Sequence, residues 1–241
     1  MIEIKNLSKT YQKQKVLDNI CLNIPEGSLF SLMGPNGSGK TTLLKSLLGT
    51  LLPDPGSEII IHGKLICGDD VYKRELSYMP QFPRFPAHLK VAEMIHLLQK
   101  LRKQKPIHKT QLMEELGIDL FWEKNLGELS GGMIQKVNIL QCFMFETPII
   151  ILDEPTGGLD PQVTYFLKQW VKKLHQQKKT IVFTSHVMAE VDELADQMAL
   201  LVEGKLYAVV SPDRFKKEKK AGSLEEALHQ FWKQANPHEK N

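Results

Sequence analysis

Residues Gly34–Thr42 read GPNGSGKTT, and this stretch restricts the chain to a narrow set of folds. The pattern G-x-x-x-x-G-K-[ST] is a phosphate-binding loop when a strand feeds it and a helix leaves it. Both flanks are present. The apolar run Ser28-Leu29-Phe30-Ser31-Leu32-Met33 predicts a buried strand, and Thr41–Leu48 predicts a helix. Glycines at 34, 37 and 39 let backbone N–H groups converge on an anion, because no Cβ blocks the required φ/ψ. The helix N-terminus adds N–H donors and the positive end of its dipole. Lys40 can reach the β- and γ-phosphates of a nucleotide, and the Thr41 hydroxyl can hold Mg²⁺. The phosphate-binding candidates are Gly34, Asn36, Gly37, Ser38, Gly39, Lys40, Thr41 and Thr42.

Bulk properties remove several classes. At 241 residues the chain suits one large domain or two small ones. Its 42% hydrophobic and 24% charged shares are those of a soluble globular protein. A net charge of +3 is too mild to argue for nucleic acid. The longest apolar runs, such as Pro148–Leu152, are strand-sized rather than membrane-spanning. Met1–Lys5 lacks the basic start and apolar stretch of a signal peptide. Cys21, Cys67 and Cys142 form no C-x-x-C pair, which fits a reducing cytoplasm and no zinc site. His62, His88, His96 and His108 lack ligand spacing and read as surface or satisfied residues.

Along the chain, Ile2–Ile4 and Val16–Ile24 alternate as strands, and Pro25-Glu26-Gly27 is a turn. Pro53–Gly56 is a further turn, Glu58–Ile66 a hairpin and Leu76–Met79 a short strand. From 82 to 128 the texture becomes helical, with Val91, Met94, Ile95, Leu98 and Leu101 at helical spacing and a second helix at Thr110–Leu116. Then elements alternate: helix 130–145, strand 148–152, helix 161–178, strand 180–184, helix 187–195, strand 198–202. Such alternation predicts a parallel sheet with helices on its faces. Arg214–Asn241 reads as a basic run, one amphipathic helix at Leu224–Phe231 and a polar tail.

Further segments give the chain a family resemblance. Leu129-Ser130-Gly131-Gly132-Met133 resembles the LSGGQ signature of ATP-binding cassette (ABC) ATPases, with Met133 for the usual glutamine. Ile149–Pro155 resembles their Walker B strand, Gly158-Leu159-Asp160 the D-loop, Thr184-Ser185-His186 the switch histidine and Gln81 the Q-loop. The motifs stand in family order over roughly residues 1–210. The resemblance implies an α/β P-loop NTPase (RecA-like) fold. It has a parallel-sheet core, an N-terminal antiparallel β subdomain and an inserted α-helical subdomain. On that plan 1–241 is one cassette: 1–81 and 130–210 form the core with the β subdomain, 82–129 the helical subdomain and 211–241 a C-terminal helical tail.

It also implies roles. ATP and Mg²⁺ are the expected nucleotide and metal, with Thr41, Gln81 and Asp153 holding the metal. Asp153 ends an all-apolar strand, where a carboxylate is costly unless paired. Glu154 can orient and deprotonate the attacking water, and His186 can donate to the γ-phosphate. Lys40 and Gln81 complete the catalytic candidates. Tyr11 resembles the adenine-stacking aromatic. Ser130, Gly131 and Gly132 open a helix and so make a second anion-binding N-terminus. In the family this motif serves nucleotide held by another subunit, so full sites need a dimer, expected here to be a homodimer; Asp160, in the D-loop-like segment, is a further nucleotide-binding candidate.

Departures affect relay rather than phosphate or metal ligands. Ile134–Cys142 reads IQKVNILQC where relatives carry Arg and Ala-Arg-Ala patterns, and Gly157-Gly158 stands where Ser-Ala is common. The leading expectation is the nucleotide-binding subunit of a membrane transporter, held at the cytoplasmic face by separate transmembrane permease subunits, with no nucleic-acid partner. Phe82, Phe85, Leu89, Val91 and Met94 would offer a groove to that partner. The tail Gly222–Leu228 resembles the Leu-Glu-Glu segment ending exporter-type cassettes. The alternative is a soluble cassette ATPase in an assembly process such as iron–sulfur cluster biogenesis. The clusters Lys100–Lys105 and Lys216–Lys220 read as solvated faces.

Overall fold

A strand that alternates buries one face, and a strand that is apolar throughout buries both. The chain uses the two kinds in different places. The structure is a computed structural model that describes residues 1–66 and 70–235, with side chains to 233. Cys67 and tail residues 236–241 lie outside the described residues. Two compact units form, one from Met1–Asp70 with the chain from Thr180 on, the other from Val71–Lys179.

In the first unit β1 (Ile2–Tyr11) and β2 (Gln14–Ile24) alternate buried and exposed residues. Then follow β3 (Leu29–Met33), α1 (Lys40–Leu47), β4 (Glu58–Ile61) and β5 (Lys64–Leu65). An antiparallel sheet runs in the order β2-β1-β4-β5, with Ile2 opposite Ile24 and Ile61. Strand β3 is buried at every residue, and it continues directly into the phosphate loop.

The second unit holds β6 (Leu76–Met79), α2 (Val91–Arg102), α3 (Lys109–Leu116), α4 (Gly131–Phe143), β7 (Ile149–Asp153) and α5 (Pro161–Gln176). β6 and β7 pair in parallel, from Leu76–Ile149 to Met79–Leu152. Beneath them the Thr147 hydroxyl donates to Ser77 Oγ at 2.9 Å. α5 is capped by Asp160, whose Oδ1 accepts from Val163 N at 2.9 Å, and Pro161 opens its first turn. It buries Val163, Leu167, Trp170, Val171 and Leu174, a stripe with the helical period.

Back in the first unit, β8 (Thr180–Thr184) is buried throughout and is followed by α6 (Met188–Leu194), β9 (Gln197–Val202), β10 (Lys205–Val210), α7 (Pro212–Lys219) and α8 (Leu224–Ala235). β3 lies between β8 and β9, parallel to both, and β10 joins β9 antiparallel. Parallel strands linked through helices are what the alternating sequence predicts.

The structure revises several local readings. The basic run near 214 is helix α7, capped by Ser211 and anchored by buried Phe215. Its single inward aromatic left no periodicity to read. Strand β10 was not predicted at all. Arg102 is not part of a solvated face: its guanidinium donates to the Leu76 carbonyl and lies 5.2 Å from the centre of the Phe145 ring. Burial lowers its pKa from the usual arginine value. Val91 and Met94 are buried in the second unit, so they cannot line a surface groove, whereas Phe82 is 76% exposed. His108 packs edge-on against Trp170, with ring centres 5.5 Å apart, as a half-buried packing residue.

Candidate nucleotide-binding and hydrolysis site

The phosphate loop belongs to the first unit. Gly39 caps α1 with φ +102°, and a Cβ there would stand 2.6 Å from Leu17 Cδ2. At Gly34 a Cβ would stand 2.3 Å from the Leu201 carbonyl oxygen. Both positions therefore accept only glycine. At Gly37, with φ +79°, nothing among the described residues beyond its chain neighbours comes within 4 Å of a Cβ position, so that side of the loop is open among them. Lys40 is 8% exposed, and its Nζ donates to the carbonyls of Gly34 at 2.6 Å and Pro35 at 3.0 Å. The ammonium is thus folded back along the loop. Ser38 Oγ is buried and has no hydrogen-bond partner among the described residues. An orphaned hydroxyl, an ammonium and a helix N-terminus in an open glycine loop fit an oxyanion ligand such as a nucleotide phosphate. Thr41 is exposed, and Asn36 and Thr42 are half-buried or less covered.

Tyr11 ends β1 at 43% exposure, with Lys9 Nζ 5.5 Å from its ring centre. A half-exposed π-face is what base stacking needs. His186 follows β8 and is exposed. Its turn is fixed by a residue that sequence reasoning missed. Buried Glu190 accepts from Ser185 Oγ at 2.9 Å, while Ser185 Oγ accepts from Val187 N at 3.0 Å. Nothing in Met188-Ala189-Glu190 signals that role, because a glutamate in the first turn of a helix is an ordinary dipole partner.

In the second unit, β7 delivers Asp153, buried, and then Glu154. Glu154 has φ +46°, the left-handed region. For a residue with a Cβ that conformation costs about 1–2 kcal/mol. The Gln81 amide donates to the Glu154 carboxylate. The Tyr78 phenol is pushed up to about 12, first by burial and then by the negative charge of Asp153.

Ser130 caps α4, its Oγ accepting from Met133 N at 3.3 Å. Gly131 and Gly132 are exposed, and among the described residues nothing beyond their chain neighbours and own helix comes within 4 Å of either Cβ position, so this helix end is uncovered there. Asp160 spends one carboxylate oxygen on the α5 cap. Along α4, Gln135, Asn138 and Gln141 reach the main chain around Gln81, a set the sequence showed only as a departure from the family pattern.

Among the described residues no group of three or more His, Cys, Asp or Glu side chains can hold a metal. The metal candidates are instead a hydroxyl (Thr41), an amide (Gln81) and a carboxylate (Asp153), all hard oxygen donors. Each is a donor of the kind Mg²⁺ takes, an ion that keeps waters and binds substrate phosphate oxygens rather than needing an all-protein cage.

Comparison with known proteins agrees with this chemistry. The ABC transporter family matches residues 17–157. The sulfate/thiosulfate import ATP-binding protein of Pseudomonas syringae pv. tomato is 34% identical over 88% of this chain and 67% of its own length. The protein of that name from Synechocystis is 35% identical over 86% of this chain and 60% of its own. The chain thus spans about two thirds or less of these relatives. Among solved structures, the ATP-binding subunit of an ABC transporter superposes with a TM-score of 0.88 at 26% identity, covering 95% of this chain and 98% of that one. A dimeric cassette in a post-hydrolysis state, bound to ADP and Pi, gives 0.77 at 26% identity over 88% of this chain and 98% of its own. The chain belongs to the ABC transporter family, as an ATP-hydrolysing cassette of P-loop α/β fold.

Proposed function

We propose that this chain is the ATP-hydrolysing subunit of a membrane transporter, and that ATP binding closes a dimer of such subunits which hydrolysis reopens. The observation that carries the catalytic part is the Gln81 amide on the Glu154 carboxylate, at the end of an apolar strand and on strained backbone.

In this reading Tyr11 stacks on the adenine, and the loop from Gly34 to Thr42 holds the phosphates. Thr41, Asp153 and Gln81 would hold Mg²⁺, whose charge would offset that of the phosphates. Lys40 leaves the Gly34 and Pro35 carbonyls for the β- and γ-phosphates. Glu154 orients a water and takes its proton as the water oxygen bonds to the γ-phosphorus. The bond from that phosphorus to the β–γ bridging oxygen breaks, leaving ADP and phosphate. His186 donates to a γ-phosphate oxygen. Ser130, Gly131 and Gly132, with Asp160, act on nucleotide held by a second copy, so each chain supplies half of each site.

No helix among the described residues is long and apolar enough to cross a membrane. Membrane attachment is therefore assigned to permease subunits, reached from the cytoplasmic face through the segment 82–129 and exposed Phe82. The curated relatives are named importers, while the Leu-Glu-Glu tail suggested export. In the structure that tail is a helix cap: Glu226 N donates to Ser223 Oγ at 3.1 Å, and Glu226 Oε2 accepts from Gly222 N at 2.8 Å. Capping accounts for Ser223 and Glu226, and burial for Leu224, Ala227 and Leu228, so these residue types do not require an export role. A mild-detergent pull-down tests the transporter assignment. Recovery of a multi-spanning membrane protein is expected; recovery of soluble assembly factors alone would replace it with the assembly-ATPase reading.

A further inference from the structure

The helix that opens with Ser130 carries a polar ladder on one side. Gln135, Asn138 and Gln141 stand at i, i+3 and i+6, a spacing that aligns them along one side of a helix. Each donates to a carbonyl at the end of β6 or just beyond it. Gln141 Nε2 donates to the Tyr78 carbonyl at 2.8 Å, Asn138 Nδ2 to the Pro80 carbonyl at 2.9 Å and Gln135 Nε2 to the Gln81 carbonyl at 3.1 Å. The amides are also joined to one another. Asn138 Nδ2 donates to Gln135 Oε1 at 3.1 Å, and Gln141 Nε2 donates to Asn138 Oδ1 at 3.2 Å. Asn138, fully buried at 0% exposure, is the centre of the set.

A fully buried carboxamide is retained at a cost unless its bonds are made. Here they are made to carbonyls of the segment that carries Gln81, whose side chain in turn donates to the Glu154 carboxylate. A continuous chain of hydrogen bonds therefore runs from α4, through the backbone at Pro80 and Gln81, to the Gln81 amide and the Glu154 carboxylate. The ladder fixes where the Gln81 backbone lies, and so where its amide can hold Glu154.

We propose that Asn138, with Gln141, is a positioning residue for hydrolysis: it sets the Gln81 amide on Glu154 and ties that contact to the helix whose N-terminus is Ser130. This rests on the catalytic reading of Glu154 above. Asn138 is fully buried, out of reach of a nucleotide at the surface, so its removal acts on turnover and not on nucleotide affinity. An aspartate at this position keeps the shape but replaces a donor with a charge facing the Pro80 carbonyl, so it acts in the same direction as alanine.

The test is a double-mutant cycle on ATP hydrolysis by the purified full-length chain, with Asn138→Ala and Gln81→Ala singly and together. Loss of one net hydrogen bond's positioning lowers kcat about threefold to tenfold in the Asn138→Ala chain, with the ATP KM within about twofold of wild type. In the Gln81→Ala background the same substitution leaves kcat unchanged, because the amide it positions is gone. An equal loss of kcat in both backgrounds, or wild-type kcat in a folded Asn138→Ala chain, overturns the proposal. Thermal unfolding is read in parallel, since a purely structural role lowers Tm without this dependence on Gln81. If Asn138→Ala does not fold, Gln141→Leu removes the neighbouring bonds and carries the same cycle. Wild-type turnover in Glu154→Gln would instead remove the catalytic reading itself, so the two failures are distinct.

Discussion

Lys40→Ala isolates the phosphate loop, and its effect follows from what the ammonium gives up. In the structure Nζ holds the Gly34 and Pro35 carbonyls at 2.6 Å and 3.0 Å. These acceptors are neutral, so each bond is worth about 1.5 kcal/mol, the low end for a charged donor. Two bonds to phosphate oxygens, both partners ionised, are worth about 3 kcal/mol each. For these two bonds the exchange of carbonyl for phosphate favours ATP by about 3 kcal/mol. Removing the ammonium should weaken ATP binding about 150-fold. Titration calorimetry at fixed Mg²⁺ reads this directly, and circular dichroism confirms that the variant is folded. A folded Lys40→Ala chain that binds ATP within about twofold of wild type would refute the loop assignment.

Other predictions follow from the same geometry. Gly204 has φ +74°, and a Cβ there would lie 2.3 Å from the Val16 carbonyl oxygen. Gly204 N also donates to the Ser38 carbonyl at 3.1 Å, and Gly204 O accepts from Asp18 N at 2.8 Å. Gly204→Ala should cost about 2–4 kcal/mol, a Tm fall of roughly 10 °C by calorimetry, because both the backbone and the contact resist it. An unchanged Tm would show that the β9–β10 turn is not tied to the loop. Tyr78 should stay protonated in an ultraviolet titration to about pH 12, above the ordinary tyrosine range. Its folded pKa is raised, so the stability it contributes is complete below about pH 10 and is lost as pH rises through about 12. If all five tyrosines titrate together near pH 10, Tyr78 is not buried beside Asp153.

The phosphate loop, the buried strands and the signature helix were legible because each rests on local rules. Glycine spacing, all-apolar runs and a serine cap need only neighbours in sequence. What was not legible depends on where distant backbone lies. Gln135, Asn138 and Gln141 looked like departures from a family pattern because their partners are carbonyls of Tyr78, Pro80 and Gln81, which have no side-chain signal. Arg102 was grouped with solvated lysines because charge runs do not say which member turns inward to the Leu76 carbonyl. Glycines 34 and 39 were expected for their conformation. Their contacts with Leu201 and Leu17 show that packing demands glycine as well. The helix α7 escaped because only Pro212 and Phe215 mark its buried side, too few to show a helical period.

The most direct measurement of the central claim is ATP turnover and ATP-dependent association of the Glu154→Gln chain, read together by phosphate release and size-exclusion chromatography. Glutamine keeps the shape and the contact with Gln81 but cannot accept the water's proton. Turnover should fall more than about 100-fold while ATP is still bound, and the chain should accumulate as a dimer. Adding Ser130→Arg should abolish that dimer without removing ATP binding, because the partner's nucleotide then meets a blocked helix end. Near wild-type hydrolysis by Glu154→Gln, or ATP-dependent dimers that persist with Ser130→Arg, would contradict the account.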